Sequence, residues 1–210
     1  MPASRVCALV SGGVDSAALV SLLVKSGREV HPLYVRCGYR WERAEERSLR
    51  RLLRALASPR LEPLACLEVP AKQFSRQEHW GFTGRRVPGA RSADAAVFLP
   101  GRNILLLSAA AVFCLARGIP AVALGTLSGN PFDDASPEFF SRLQRALSSG
   151  LGRAFRIEAP FRSLSKERVV ALAGELPWRL TFSCLSPRGL RPCGRCNKCA
   201  ERRRALGQRA

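Results

Sequence analysis

The stretch Cys7-Ala8-Leu9-Val10-Ser11-Gly12-Gly13-Val14-Asp15-Ser16 decides the fold of this chain. An apolar run ends in a Ser-Gly-Gly-Val-Asp-Ser turn, and a helical pattern begins directly after it. Gly12 and Gly13 can take positive φ and let an anion approach the backbone, while the unpaired N–H groups of a helix N-terminus attract phosphate. The order of residues therefore predicts a phosphate-binding loop between a strand and a helix.

The polar side chains of this loop are candidate ligands for a phosphate and its cation. Ser11 and Ser16 offer hydroxyls to phosphate oxygens, and Asp15 can either cap the helix or hold Mg²⁺. An ordinary strand-to-helix turn is the alternative, but the complete hexapeptide in this context favours phosphate binding. The hexapeptide is similar to the PP-loop of the ATP pyrophosphatase superfamily, whose members cleave ATP to AMP and pyrophosphate.

The composition is that of a globular protein with an unusually basic balance. The 210 residues include 34 Lys and Arg against 16 Asp and Glu, a formal net charge of +18. We expect one domain with a sizeable core, without a secretory signal or a membrane span, in the cytoplasm. The charge favours a polyanion such as tRNA as a partner, and it fits equally well with the coding bias of a GC-rich genome.

Strands and helices are predicted to alternate along the chain. After the first apolar run, strands are predicted at 29–35, 61–69, 121–125 and 155–159, and helices at 15–25, 42–57, 104–116, 137–147 and from Ser165 onward. This alternation predicts an α/β protein with a doubly wound, mostly parallel sheet of the Rossmann-like kind. Residues 70–100 lack periodicity and are predicted to form a functional excursion or lid.

Four segments follow predicted strands and are expected to meet in one cleft. The carboxyl ends of parallel strands share one edge of a sheet, and ligands bind there. The segments are Ser11–Ser16, Cys37–Trp41, Gly125–Asp134 and Phe161–Lys166.

The C-terminal tail holds four closely spaced cysteines: Cys184, Cys193, Cys196 and Cys199. Two overlapping Cys-x-x-Cys pairs and one distal cysteine suffice for a tetrahedral thiolate site, which predicts one structural Zn²⁺ with no open coordination position. An iron–sulfur cluster and free thiols are the alternatives, and disulfides are not expected in a cytoplasmic enzyme. The other cysteines are expected to be plain buried or half-buried thiols, namely Cys7, Cys37, Cys66 and Cys114.

Together, the loop and the tail resemble the 7-cyano-7-deazaguanine synthase family. Between them, Leu99-Pro100-Gly101-Arg102-Asn103 matches the family's Pro-Gly-Arg-Asn element, and Pro160–Lys166 resembles its Pro-Leu-x-x-Leu-x-Lys segment. The four tail cysteines fall on the family's zinc ligands with the same spacing. The resemblance spans nearly the whole chain and implies the fold of the adenine nucleotide alpha hydrolases.

The resemblance implies an ATP-dependent carbon–nitrogen ligase that adenylates 7-carboxy-7-deazaguanine and converts it with ammonia into a nitrile. It further implies Mg²⁺ with ATP and a homodimer. Asp15, Ser16 and Lys166 are the candidate catalytic residues, although Lys166 fits equally well as a solvated residue in the first turn of a helix. We expect residues 1–176 to form the ATP-binding domain and 177–210 a zinc-binding segment packed on it. By the match, the nucleotide is bound by Val10, Ser11, Gly12, Gly13, Val14, Asp15, Ser16 and Arg102.

Two departures from the family pattern leave the acceptor substrate open. Tyr39-Arg40-Trp41 stands where the family has Gln-Arg-His, and the loop Gly125–Asp134 is shorter and lacks the family's Tyr, Cys and Arg. Within that loop, Asp133 or Asp134 can accept hydrogen bonds from a guanine-like edge, or else cap the helix that begins near Pro137. A related carboxylate is therefore a possible substrate.

Two other functions also fit parts of the sequence. The first is a PP-loop enzyme that modifies tRNA, such as a thiolase, for which Cys37 at a strand end is a candidate reactive thiol. The second is a zinc-ribbon nucleic-acid binder with a degenerate loop, although the complete phosphate-contacting hexapeptide argues against degeneracy.

Overall fold

The computed structural model describes residues 4–74 and 78–207. Within these ranges one five-stranded sheet has the strand order β3-β2-β1-β4-β5, and every neighbouring pair is parallel. The predicted parallel α/β architecture is confirmed. The strands are β1 (Arg5–Leu9), β2 (Glu29–Arg36), β3 (Ala65–Glu68), β4 (Ala121–Ala123) and β5 (Arg156–Glu158).

Helices cover both faces of the sheet. They are α1 (Val14–Lys25), α2 (Glu42–Ala55), α3 (Trp80–Thr83), α4 (Arg102–Ala116), α5 (Pro137–Gly150), α6 (Lys166–Ala173) and α7 (Asn197–Leu206). Alternate residues of β1 point to opposite faces, so Val6 and Ala8 pack with α1, α2 and α6, while Cys7 packs with α4 and α5. None of the described helices has the length and apolar content needed to cross a bilayer.

Some boundaries differ from the predictions for identifiable reasons. The strand predicted at 61–69 is reduced to β3, because Pro63 has no N–H for a ladder and leaves Leu61 only an isolated bridge to Val30. Helix α4 begins two residues before the predicted start, at Arg102. It can do so because Gly101, with φ of +71°, turns the chain directly into the helix.

The strand order creates a switch point beside β1. The chain runs from β1 through β2 to β3 on one side and then returns to place β4 on the other side of β1. Loops that leave β1 and β4 therefore diverge at the carboxyl edge, where doubly wound folds bind ligands. The excursion between β3 and α4 contains α3 and two 3₁₀ turns, at Ala71–Gln73 and Asp94–Val97.

Candidate active site and metal centre

A cleft of about 320 Å³ opens at the carboxyl edge of the sheet beside β1 and β4. All four strand-end segments that were expected to converge contribute to its lining, and so does the excursion between β3 and α4. The tail of the chain closes another side of the same cleft. The strand-end segments supply Ser11, Gly13, Asp15, Ser16, Trp41, Gly125, Asn130, Asp134 and Lys166. The excursion supplies Trp80, Phe98 and Leu99, and the tail supplies Phe182, Ser183 and Lys198.

The Ser-Gly-Gly turn is held in one conformation by its own hydrogen bonds. The backbone N–H of Ser11 donates to Ser16 Oγ at 2.9 Å, and the two hydroxyl oxygens lie 3.2 Å apart. Gly12 has φ of +78°, and a Cβ on it would lie 3.0 Å from Leu49 Cβ on α2. Only glycine fits there, so the turn packs directly against α2 and leaves its other side open to the cleft.

Asp15 does not cap α1, so that part of the prediction is wrong. The residue before the helix is Gly13, and no side chain caps the first turn. Asp15 lies inside the helix and forms an ion pair with Lys166 at 3.1 Å. Its Oδ2 makes this contact, while Oδ1 is buried and has no hydrogen-bond partner among the described residues. A buried carboxylate oxygen without a partner suits a hard cation such as Mg²⁺.

Lys166 joins the phosphate loop to the C-terminal tail. Its Nζ lies 3.1 Å from Asp15 Oδ2 and 2.6 Å from Glu201 Oε1, and Glu201 Oε2 lies 2.6 Å from Lys198 Nζ. The Lys166 side chain is only 12% exposed, so its description as a solvated helix residue is wrong. We call Asp15, Lys166, Glu201 and Lys198 the ion-pair chain.

The electrostatics of the ion-pair chain keep Lys166 charged. Burial lowers the pKa of Lys166, but the carboxylates of Asp15 and Glu201 outweigh burial and raise it above its usual value. Burial raises the pKa of Asp15, and the neighbouring Lys166 ammonium opposes that rise. A fixed ammonium beside the phosphate loop can therefore stabilise negative charge on a bound phosphate.

Arg102 and Asp134 flank the cleft from α4 and from the loop after β4. Arg102 lines the cleft, and its Nε is buried without a hydrogen-bond partner in the described part of the chain. Asp134 accepts hydrogen bonds from the backbone N–H of Asn103 at 3.1 Å and from its side-chain amide. Asp134 thus caps α4 across the cleft, whereas α5 is capped by Ser136. The predicted Asp cap of the helix that begins at Pro137 is therefore wrong.

The cleft contains a carboxyl group that the sequence did not single out. Glu45 lines the cleft and accepts a hydrogen bond from the Tyr34 hydroxyl at 2.8 Å. Burial raises the pKa of Glu45 to about 7, and Arg102 opposes the shift. Helical spacing could have indicated that Glu45 faces inward, since Glu45 lies one turn before the buried Leu49 and two turns before the buried Leu52.

Aromatic rings border the same end of the cleft. Trp41 and Trp80 stack with ring centroids 5.7 Å apart, and Phe98 and Phe132 stack at 5.0 Å. All four line the cleft, and Tyr39 stacks behind Trp41 at 4.7 Å. Trp41, from the segment that departs from the family pattern, is only 4% exposed and stacks with both Tyr39 and Trp80. The rings of Trp80, Phe98 and Phe132 are partly exposed, so they are the flat apolar surfaces on which a planar ligand can stack.

Cys37 is not the reactive thiol that a thiolase would need. Its side chain is buried, and burial raises its pKa to about 11. Nucleophilic cysteines have lowered pKa values and accessible sulfur atoms. Cys7 and Cys114 are likewise buried, and Cys66 is half-buried, as predicted for plain thiols.

The four tail cysteines meet in a cluster that can hold a metal ion. Their Sγ atoms all lie within 4.8 Å of one another, and Cys193 and Cys199 are 4.0 Å apart. A tetrahedral zinc with bonds of about 2.3 Å requires sulfur atoms about 3.8 Å apart, so a small contraction completes the site. Backbone N–H groups of Leu185 and Cys193 donate to two of the sulfur atoms.

A family model described as "Queuosine biosynthesis protein QueC" matches residues 5–210. The chain belongs to the QueC family. This confirms the family that the motifs indicated.

Three relatives of this QueC family member are each described as a 7-cyano-7-deazaguanine synthase. The 7-cyano-7-deazaguanine synthase of Anaeromyxobacter sp. (strain Fw109-5) is 32% identical over 99% of this chain and 93% of the relative. That of Methanoculleus marisnigri is also 32% identical, over 94% of this chain and 91% of its own. The 7-cyano-7-deazaguanine synthase 1 of Desulfitobacterium hafniense is 28% identical over 98% and 93%.

Two solved structures share the fold of this chain at low sequence identity, so they are evidence for the fold and not for the function. A 4-thiouridine synthetase in complex with RNA and ATP has a TM-score of 0.55 at 18% identity, covering 98% of this chain and 50% of that one. A predicted tRNA methyltransferase subunit from Methanocaldococcus jannaschii has a TM-score of 0.51 at 15% identity, covering 98% and 88%.

Proposed function

We propose that this chain is an ATP-dependent carbon–nitrogen ligase that converts 7-carboxy-7-deazaguanine and ammonia into 7-cyano-7-deazaguanine. One observation carries the proposal: the phosphate loop, the buried Lys166 and an aromatic-walled pocket line the same cleft. That arrangement holds a nucleotide triphosphate and a planar carboxylate side by side. Family membership and the shared description of the relatives support the same conclusion.

The chemistry proceeds by two adenylations. The substrate carboxylate attacks the α-phosphorus of ATP and pyrophosphate leaves; ammonia then attacks the acyl carbon and AMP leaves, which gives the amide. In the second round the amide oxygen attacks the α-phosphorus of another ATP, and pyrophosphate again leaves. Loss of AMP and protons leaves the nitrile. Neither round needs a covalent enzyme intermediate, so positioning and charge stabilisation carry the rate.

The residues around the phosphate loop bind the phosphates of ATP and stabilise their charge. Val10–Ser16 cradle the phosphates through backbone N–H groups and the hydroxyls of Ser11 and Ser16. Lys166 and Arg102 stabilise the charge that develops when pyrophosphate departs. The unpartnered Asp15 Oδ1 would hold Mg²⁺, which when bound neutralises phosphate charge.

The pocket end selects the acceptor. The partly exposed rings of Trp80, Phe98 and Phe132 provide flat surfaces for a fused heteroaromatic ring. Glu45 and Asp134 supply carboxylate oxygens for the N–H edge of such a ring. These apolar walls also exclude water, which would otherwise hydrolyse the acyl adenylate.

We further propose that the four-cysteine cluster holds one structural Zn²⁺, because four protein thiolates close a tetrahedral site. The proposed segment 177–210 then acts with residues 1–176 as one unit, since Glu201 forms an ion pair with Lys166, which in turn contacts Asp15 beside the phosphate loop. A homodimer and ammonia as the nitrogen donor complete the proposal.

Incubation of the purified protein with Mg-ATP, ammonium and 7-carboxy-7-deazaguanine tests the reaction. We expect AMP and the nitrile product, detected by mass spectrometry. Asp15→Ala should abolish AMP formation, whereas Asp133→Ala, an exposed carboxylate outside the cleft, should retain it. Turnover by Asp15→Ala would contradict the role given to that residue. AMP release that requires tRNA would instead favour a tRNA-modifying enzyme, and AMP release with another carboxylate a paralogous ligase.

A further inference from the structure

The outward face of α2 carries a straight row of arginines, which we call the arginine stripe: Arg43, Arg47, Arg51 and Arg54. Steps of four, four and three residues place all four on one side of the helix. At 1.5 Å per residue the stripe is about 16 Å long. All four residues are exposed, and together with Arg50 and Glu46 they line a shallow groove of about 390 Å³.

The charge of the stripe is not neutralised by the acidic residues of its own helix. Glu42 accepts the backbone N–H groups of Cys37 and Gly38, and Glu45 faces the cleft. Glu46 is shared between Arg36 and Arg50. Within the described ranges no carboxylate lies at ion-pair distance from any stripe guanidinium. The three glutamates of α2 therefore interact with groups outside the stripe, and the four guanidinium charges of the stripe face outward together.

A bias towards arginine in the coding sequence does not account for this arrangement. On α5, Arg142 pairs with Glu138 one turn away, and Arg145 donates to the Ser141 hydroxyl. Those two arginines have side-chain partners on their own helix. The stripe instead places on one helix face four guanidinium groups with no carboxylate at ion-pair distance in the described ranges, although Arg54 Nε donates to the Arg50 carbonyl at 3.3 Å. A concentration of one charge sign is the electrostatic footprint of a polyanion site.

The kind of polyanion follows from the chemistry of the stripe. Guanidinium groups bind phosphate oxygens in bidentate fashion, and here they recur along a line at about 6 Å intervals. A membrane surface fits poorly, because the apolar face of α2, with Leu49, Leu52 and Leu53, is buried in the core and cannot insert. A protein partner would need aromatic or aliphatic anchors, which the stripe lacks.

We propose that the arginine stripe binds the phosphodiester backbone of a single nucleic-acid strand. Arg43 lies between Trp41 and Glu45, both of which line the cleft. Helical spacing puts Arg43 on the side of α2 opposite these two residues, so the stripe faces away from the cleft. A strand bound on the stripe therefore does not occupy the cleft.

Fluorescence anisotropy with labelled single-stranded RNA and DNA of the same sequence tests the stripe. Four phosphate contacts predict a slope of log K against log salt of about −2.8, which is about a 50-fold loss of affinity for a fourfold rise in salt. Reversing two contacts with Arg47→Glu/Arg51→Glu should at least halve the slope and weaken binding about tenfold or more. Tighter binding of RNA than DNA, or the reverse, identifies the source of the strand.

A matched variant separates the stripe from overall charge. Arg142→Glu/Arg145→Glu makes the same change in net charge on α5 and should leave the salt slope unchanged. An equal loss of binding in both variants would overturn the proposal, as would absence of binding by the unaltered protein or tighter binding to anionic lipid vesicles or an acidic peptide. The stripe variant should still form AMP from the small-molecule substrates, so failure of this proposal and failure of the ligase proposal are distinguishable.

Discussion

Replacement of Lys166 by methionine tests the ion-pair chain directly. Methionine keeps most of the length and volume of lysine, so the change removes charge with little loss of packing. It leaves the carboxylates of Asp15 and Glu201 without their shared cation, and their side chains are only 27% and 19% exposed. We therefore expect Lys166→Met to destabilise the ligand-free protein strongly.

The expected magnitude follows from the burial of the three groups. Removing one partner of a buried ion pair costs about 3–5 kcal/mol, and the partial exposure of both carboxylates places this case at the low end, about 3 kcal/mol. For a chain of this length, that loss lowers the melting temperature by about 6–12 °C. Lys198 still contacts Glu201, so most of the cost falls on Asp15.

Urea unfolding followed by circular dichroism measures this loss. The matched control is Lys25→Met, because Lys25 is exposed and, among the described residues, its Nζ hydrogen-bonds only to the Ala173 carbonyl, at 3.4 Å. The control should change the free energy of unfolding by no more than about 0.5 kcal/mol. A loss below about 1 kcal/mol for Lys166→Met would refute the reasoning, since it would mean that water already solvates the ion-pair chain.

Three further predictions concern the loop, the pocket and the metal. Gly12→Ala should cost about 3 kcal/mol in urea unfolding, because positive φ and contact with Leu49 both oppose a Cβ, whereas Gly129→Ala, with positive φ in open space, should cost about 1–2. The folded state holds the Glu45 proton up to a pKa of about 7 and the unfolded state releases it near 4.5, so stability should fall as pH rises between these values, by at most about 3 kcal/mol. Glu45→Gln should flatten that part of the profile, and an unchanged profile would contradict the assignment. Elemental analysis should find about one zinc per chain, and a chelator should lower the melting temperature; bound iron, or an unchanged melting temperature after zinc removal, would contradict a structural zinc.

Much of the fold, the glycine turn that lines the cleft and the four-cysteine cluster could be predicted from local sequence. The glycine turn after β1 and the cysteine spacings of the tail work through chain geometry over a few residues, so they are visible without the rest of the molecule. The alternation of apolar patterns gave the parallel sheet for the same reason. Strand-end segments were expected to converge because parallel topology leaves them one shared edge.

The partners of the charged groups could not be predicted in this way. Lys166 in sequence is the first residue of a polar helix turn, and only packing brings it between Asp15 and Glu201, from opposite ends of the chain. Asp134 likewise caps a helix that starts 32 positions earlier in the chain, at Arg102. In the sequence Glu45 resembles a surface acid, and only the packing of α2 against the sheet places its side chain in the cleft.

The sequence by itself therefore determined the class of fold, the glycine turn after β1 and the four-cysteine cluster, because backbone conformation and cysteine spacing are local properties. Only the tertiary structure decided which carboxylates share Lys166, which helix Asp134 caps and which arginines on α2 have no carboxylate partner among the described residues. Charge pairing and burial depend on groups that are distant in sequence, and their free energies are set when the elements pack together.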